Sequence, residues 1–258
     1  MKTMKTSIDR KLSIYGFDAV NNGHNIYALL EFDITDLRKY LRGKRVTGRG
    51  GSLFAFFIKA IALCLKEYPA FNSMIDSRKT TCFEEVDVSI PIEIERNGKI
   101  ENKQYLIRYA SGKTTCSIDE EIRIAKEKID DQRGFVISRR LQTLMELLPG
   151  RAAVAIIRMM IRNHQKTKEL SGTVFITSIS MFSTIPGYII PFIGGPKASS
   201  FAIGSTSKKA VVIGDQIKIR ELINVTAIFN HDIIDGAPAA RFINKLRKIV
   251  EDGYDAVE

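Results

Sequence analysis

Cysteine, histidine and long apolar runs are all scarce in this chain, and each shortage narrows the reading. The three cysteines, Cys64, Cys82 and Cys116, stand at unrelated spacings in 258 residues, so they make no metal motif. Thiols used this sparingly fit a reducing cytoplasm. Cys64 falls on the apolar face of a helical stretch and reads as a core thiol. The opening MKTMKTSIDRK has no apolar segment of the kind a signal peptide needs. The apolar stretch from Val154 to Ile161 is broken by Arg158 and falls short of the roughly 20 residues a bilayer span requires. No Pro-, Gly- or Ser-rich linker, low-complexity tract or internal repeat divides the chain, so one domain over residues 1–258 is expected. The remaining composition, 45% hydrophobic and 26% charged, is ordinary for a packed domain.

Acidic side chains are outnumbered 29 to 39, leaving a net charge of +10. The basic residues run as KTMK, RGKRVTGR (residues 42–49), KKA and RFINKLRK. No nucleic-acid motif accompanies them and no aromatic stripe is interleaved with them, so no nucleic-acid partner is expected. Two readings stay open. The charge is a solvated basic surface, or it steers a polyanionic substrate or an acidic carrier toward the protein.

His231 is one of only three histidines. It stands in FNHDIIDG, with Asp235 four residues on and Gly236 directly after. A free imidazole titrates near pH 6.5 (roughly), close to where a general base works. INVTAIFN (residues 223–230) is β-branched and aromatic, as strands are. Asp235-Gly236 is a turn signal, and Pro238 fits the first turn of a helix. Ala240, Phe242, Ile243, Leu246, Ile249 and Val250 follow at helical spacing. The pattern therefore places His231 at a strand end and Asp235 in a tight loop before a helix. His-x-x-x-Asp alone is more readily read as a core histidine with a helix-capping aspartate, because the spacing is easily matched by chance.

Elsewhere, IYALLEF reads as a strand, and Asp33-Ile-Thr-Asp leads into a short helix. Ser52 caps a helix to Tyr68, which Pro69 stops. FEEVDVSIPIEIE and KQYLIRYA are strands joined across Asn97-Gly98. Ser117 and Glu120 make a capping box that opens a helix to about Asp131. TVFITSI, SSFAIGS, KAVVI and IKIRELI are further strands, with Gly214-Asp215 as a turn. Strands interspersed with helices predict an α+β fold, a two-layer sandwich of a mixed sheet with helices.

The longer string HDIIDGAPAARFINKL closely resembles the active-site signature of the 2-oxoacid dehydrogenase acyltransferases, the dihydrolipoyl acyltransferase catalytic domains related to chloramphenicol acetyltransferase. HNIYALLEFDITDLRKYL (residues 24–41) resembles that domain's early strand and helix. SLFAFFIKAIALCLKEYPAFNSMID (residues 52–76) resembles its long helix and the Tyr-Pro-x-x-Asn ending it. GTVFITSISMF (residues 172–182) resembles its F-T-I-S-N-L-G strand. Together these cover most of the chain in family order.

The resemblance implies a chloramphenicol acetyltransferase-like fold and acyl transfer between coenzyme A and a thiol acceptor, with no metal. His231 would take the proton of the attacking thiol, which at roughly pKa 8.5 is a poor nucleophile until a base stands beside it. The oxyanion donor falls on Thr177, with Ser178 next along; successive strand residues face opposite sides, so only one of the two can point into the site. A β-strand threonine with no chemical role is the alternative for Thr177. Asp235 would be structural, paired with an arginine for which Arg10 is the candidate. Gly236 would permit a backbone conformation or close approach that a Cβ forbids. The family also implies a homotrimer, with the histidine facing a neighbour's hydroxyl.

Two departures from the family are expected. Residues 132–170 look like an inserted helical hairpin broken at Pro149-Gly150, packed on its own domain or on a neighbouring subunit; lying on a membrane surface and covering a substrate tunnel are the alternatives. His164, among cations there, reads as a surface residue. The catalytic resemblance begins almost at residue 1, so a lipoylated or other carrier is expected to be supplied by another protein. Acylation of a small-molecule hydroxyl or amine from acyl-coenzyme A, and a non-catalytic trimeric scaffold, remain the competing functions.

Overall fold

Nine consecutive residues ending the last strand, Leu222 to Asn230, are all buried, so both faces of the sheet are covered at its centre. The computed structural model describes residues 8–20, 23–47, 50–76, 79–96, 99–128, 147–180, 186–191 and 195–257. The chain runs α1 (Ile8–Ala19), β1 (Asn25–Asp33), α2 (Thr35–Val46), α3 (Leu53–Glu67), β2 (Ser73–Ile75), β3 (Thr80–Cys82), β4 (Val88–Arg96) and β5 (Lys99–Ile107). It continues through α4 (Thr115–Lys128), α5 (Gly150–Ile161), α6 (His164–Ser171), β6 (Val174–Ser178), β7 (Ser199–Ile213), β8 (Gln216–Asn230) and α7 (Gly236–Glu251).

The main sheet has the order β1-β8-β7-β6-β4-β5. β6 is parallel to β4 and β7, and the other neighbours are antiparallel, so the sheet is mixed. Gly214, at φ +59°, turns β7 back into β8 beside Asp215, as Gly-Asp turn chemistry predicts. β2 and β3 form a separate short pair, bridged to the main chain path at Met74 and Lys197. The expected strands SSFAIGS and KAVVI are one strand, β7, and IKIRELI merges with INVTAIFN into β8.

The helical layer is α3 and α7 on one face. Ser52 caps α3 by accepting the Ala55 N–H at 3.1 Å. The helix is apolar nearly all round and is buried from Ala55 to Leu65 except at Leu63, as an element enclosed on several sides must be. Alternation on β8 sends Ile223, Val225, Ala227 and Phe229 into this layer. Phe242 of α7 is the centre of the packing: its ring stacks on Phe71 at 4.6 Å and meets Phe229 at 5.7 Å and Phe201 at 5.8 Å. This one side chain joins the exit of α3 to β7, β8 and α7.

One expectation is corrected, and one element is new. α4 begins at Thr115, not after a Ser117 cap: Thr114 Oγ1 accepts the Ser117 N–H at 3.1 Å, and Glu120 pairs with Arg123 instead. α1 was not expected from the sequence at all. It packs on α5, with Tyr15 and Ala19 against Val154 and Ile157, and Arg158 donates to the Ala19 and Asp18 carbonyls. The apolar side of α5 is thus met by α1. The Asn97-Gly98 turn and most of the first helix expected between 132 and 149 lie outside the described residues.

Replacing Phe242 with alanine removes the ring that four elements share. It is expected to cost about 3–5 kcal/mol of folding stability, measured by chemical denaturation; a loss under about 1 kcal/mol would contradict this packing.

Candidate active site

His231 follows the last paired residue of β8. Asn230 is opposite Asn25 and is buried. Its side-chain oxygen accepts the Asp232 N–H at 2.9 Å, and its carbonyl accepts the N–H groups of Ile233 and Ile234 at 3.1 and 3.0 Å. Ile234 is fully buried. The loop is therefore anchored at both ends, with His231 between. The imidazole is half exposed, and its Nδ1 lies 3.7 Å from Asp235 Oδ1, an ion-pair distance too long for a hydrogen bond.

Asp235 occupies the N-cap position of α7 but makes no side-chain cap bond, so the capping reading does not hold. Among the described residues the ion-pair contact of Asp235 is with His231; Arg10 sits on α1. Gly236 has no left-handed backbone and a Cβ there would meet nothing within 4 Å. Neither reason expected for that glycine applies within a single chain.

Thr177 is opposite Ala202, which is opposite Thr226. Its neighbour Ile176 points into the helical core, so Thr177 points to the other face of the sheet. Ser178 bonds the Ser180 hydroxyl at 2.9 Å and alternates back to the helical side. Thr226 stands five residues before His231 and two strands from β6. That separates Thr177 from His231 by about 16 Å along the strands and about 10 Å across them. One chain does not bring the two together.

The entry to β6 is held by groups the sequence reading missed. Gly172, at φ +67°, passes so close to Asp87 that a Cβ would lie 2.5 Å from its carbonyl oxygen. The buried Asp87 carboxylate accepts from Arg108 at 2.7 Å and from the Tyr109 N–H at 3.0 Å. Arg108 also donates to the Lys168 and Glu169 carbonyls near the end of α6. Lys197 Nζ donates to the Ser171 carbonyl at 2.5 Å. Arg108 thus places a cation at the negative end of the α6 dipole, the buried Lys197 amine donates to a carbonyl there as well, and α6 leads directly into the strand that carries Thr177.

His164 is not a surface residue. It is buried, with Nδ1 2.8 Å from Thr81 Oγ1 and Nε2 3.3 Å from Asp76 Oδ2. Burial lowers its pKa, against the opposing pull of Asp76. Its tethers come from the β2–β3 pair, so it holds α6 to that hairpin. A surface cleft of about 460 Å³ beside it is lined by Lys79, Thr81, Phe83, Met159 and Arg162 and does not include His231. Cys64 is buried and its thiol is pushed up to about 12 by desolvation, so it is inert. Among the described residues no cluster of His, Cys, Asp and Glu has the form of a metal site, and no helix is long and apolar enough to cross a membrane.

Comparison with known proteins places this chain in a known class. The family model described as 2-oxoacid dehydrogenases acyltransferase (catalytic domain) matches residues 4–133 and 151–257, and the chain belongs to that family. Its relatives include the lipoamide acyltransferase component of the branched-chain alpha-keto acid dehydrogenase complex of Bacillus subtilis, 24% identical over 231 residues, 87% of this chain and 46% of that one. The dihydrolipoyllysine-residue acetyltransferase component of the pyruvate dehydrogenase complex of Zymomonas mobilis is 28% identical over 194 residues, 75% of this chain and 36% of that one. The chain spans less than half the length of these curated relatives.

Among solved structures, the dihydrolipoamide acetyltransferase of Azotobacter vinelandii superposes with TM-score 0.73 at 17% identity, covering 100% of this chain and 93% of that one. That structure was determined to study a serine, a histidine and an asparagine in the catalytic mechanism, the last two four residues apart. Chloramphenicol acetyltransferase superposes with TM-score 0.51 at 16% identity, covering 97% and 100% of the two chains. The mixed sheet with helices is therefore the chloramphenicol acetyltransferase-like fold.

Burial lowers the Lys197 ammonium from its ordinary 10.5 to about 7. Between those values the unfolded chain holds a proton that the folded chain does not, so stability rises as pH increases from about 7 toward 10. Lys197→Met should flatten that slope in thermal melts; an unchanged slope would contradict a neutral buried amine.

Proposed function

We propose that this chain is a single catalytic unit over residues 1–258 that moves an acyl group between coenzyme A and a thiol acceptor, with His231 as general base. The observation that carries this reading is the His231 loop: a half-exposed imidazole held between a fixed strand end and a buried isoleucine, in a member of an acyltransferase family.

The chemistry follows from the atoms. Nδ1 faces Asp235, which leaves Nε2 for the substrate thiol. His231 takes the thiol proton, and the sulfur attacks the thioester carbonyl carbon. The carbonyl oxygen becomes an oxyanion, for which the Thr177 hydroxyl is the donor in this reading. Collapse breaks the old carbon–sulfur bond, and the departing thiolate takes the proton back from the imidazolium. The base is restored and no net proton is consumed. Asp235 places a negative charge beside the imidazolium at the moment it forms.

Because Thr177 and His231 are far apart in one chain, the reading requires a neighbour. The protein is proposed to act as a homotrimer in which His231 of one protomer faces Thr177 of the next. Arg10 is kept only as a supporting residue across that boundary. The acceptor is proposed to be a dihydrolipoyl group or another carrier thiol, and the compartment the cytoplasm, where dithiols stay reduced. The net charge of +10 suits both a polyphosphorylated substrate and an acidic carrier. Transfer to a small-molecule alcohol or amine is the second reading. α1 packs on Val154 and Ile157 of α5, which takes those two side chains away from any apolar tunnel and speaks against the second reading.

His231→Ala should lower acceptor-dependent thiol release from acyl-coenzyme A by about 10²–10⁴-fold while the fold is retained. Thr177→Ala should lower kcat by about 10²–10³-fold, and Thr177→Ser should restore most of it. Near-normal turnover in His231→Ala would overturn the proposal.

A further inference from the structure

His24 lies immediately before β1 and grips the active-site loop at two points. Its carbonyl accepts the His231 N–H at 2.5 Å, continuing the β1–β8 ladder one step past Asn25 and Asn230. Its ring Nδ1 lies 2.8 Å from Asp232 Oδ1. A carboxylate only accepts, so Nδ1 carries the proton and donates. The two residues that His24 holds, His231 and Asp232, are adjacent. The approach is tight: a Cβ on Gly23 would stand 3.1 Å from the Asn230 side-chain amide. Asn230 in turn bonds the Asp232 N–H from the other side.

We infer that His24 is a positioning residue for His231, fixing the direction of its ring through Asp232 and through the backbone. This rests on His231 being the base. The inner end of the loop is anchored by burial of Asn230 and Ile234, but the outer end, where His231 and Asp232 sit, has no buried side chain of its own. The His24 side chain is 88% exposed and that of Asp232 38%. The pair therefore adds little to global stability. Its effect is local. It removes the freedom of the His231–Asp232 peptide, and with it the pivot of the imidazole. An error of about 1 Å at a reacting atom costs far more in rate than such a pair contributes to folding. Asp232 is thereby given a role distinct from that of Asp235: it holds the backbone, while Asp235 faces the ring.

The test uses the full-length protein and the variants His24→Ala, His24→Asn, Asp232→Ala and the double alanine. Asparagine keeps an N–H near the position of Nδ1. His24→Ala is expected to lower kcat about three- to tenfold with KM for acyl-coenzyme A unchanged. His24→Asn should restore it, and the double variant should be no worse than either single one. Melting temperatures should stay at the wild-type value. A second readout does not depend on activity. The three histidines give three ring Cε1–Hε1 cross-peaks in NMR, and that of His231 should move in His24→Ala and return in His24→Asn. An unmoved His231 peak, unchanged kcat in His24→Ala, or a loss that asparagine does not restore would each overturn the inference. If His231→Ala proves active, the base assignment fails, and the NMR arm alone still decides whether His24 holds the ring.

Discussion

The pairing of β8 along both of its edges is the constraint on which the rest of the structure depends. β1 fixes one edge from Asp33 to Asn25, and β7 fixes the other. A strand bonded on both sides cannot slip by one residue without turning its core set, Ile223 to Phe229, to the wrong face. Register is therefore rigid up to Asn230, and the next residue is His231. Phe242 closes the arrangement from the far side of the loop, tying α7 to the same strand through Phe229. The loop between is short, and its geometry follows from these two anchors.

A second anchored path ends at Thr177. The β2–β3 hairpin holds His164 at one end of α6, Arg108 and Lys197 hold its other end, and Gly172 passes against Asp87 into β6. The two paths meet the sheet from opposite sides of its strand order and deliver their groups to separate places. Each half of the proposed chemistry is thus rigid within a chain, and the sheet itself keeps them apart.

Local chemistry made much of this legible. The Ser52 cap, the Pro69 stop, the Gly214 turn and the helical spacing around Phe242 are set by residues within one or two turns of one another. The signature at His231 to Gly236 is equally local. What was illegible depends on distant contacts. His164 looks like a surface residue among Arg158, Arg162 and Lys166, and it is buried because Thr81, 83 residues away, reaches it. His24 and Asp232 are 208 residues apart, and nothing beside either one marks the pair. α1 has its partner in α5 through Arg158, 139 residues from Ala19. Nothing beside Lys197 marks its burial either: it follows Pro196, and folding places it under α6.

The claim that stands at the centre is that His231 and Thr177 act together across a boundary between protomers. Mixing the inactive His231→Ala and Thr177→Ala proteins, unfolding them together and refolding them tests it directly. If each site takes one residue from each of two neighbours, random trimers regain about a quarter of wild-type activity, because one interface in four carries both intact groups. No recovery from a mixture that reassembles into trimers would contradict the account.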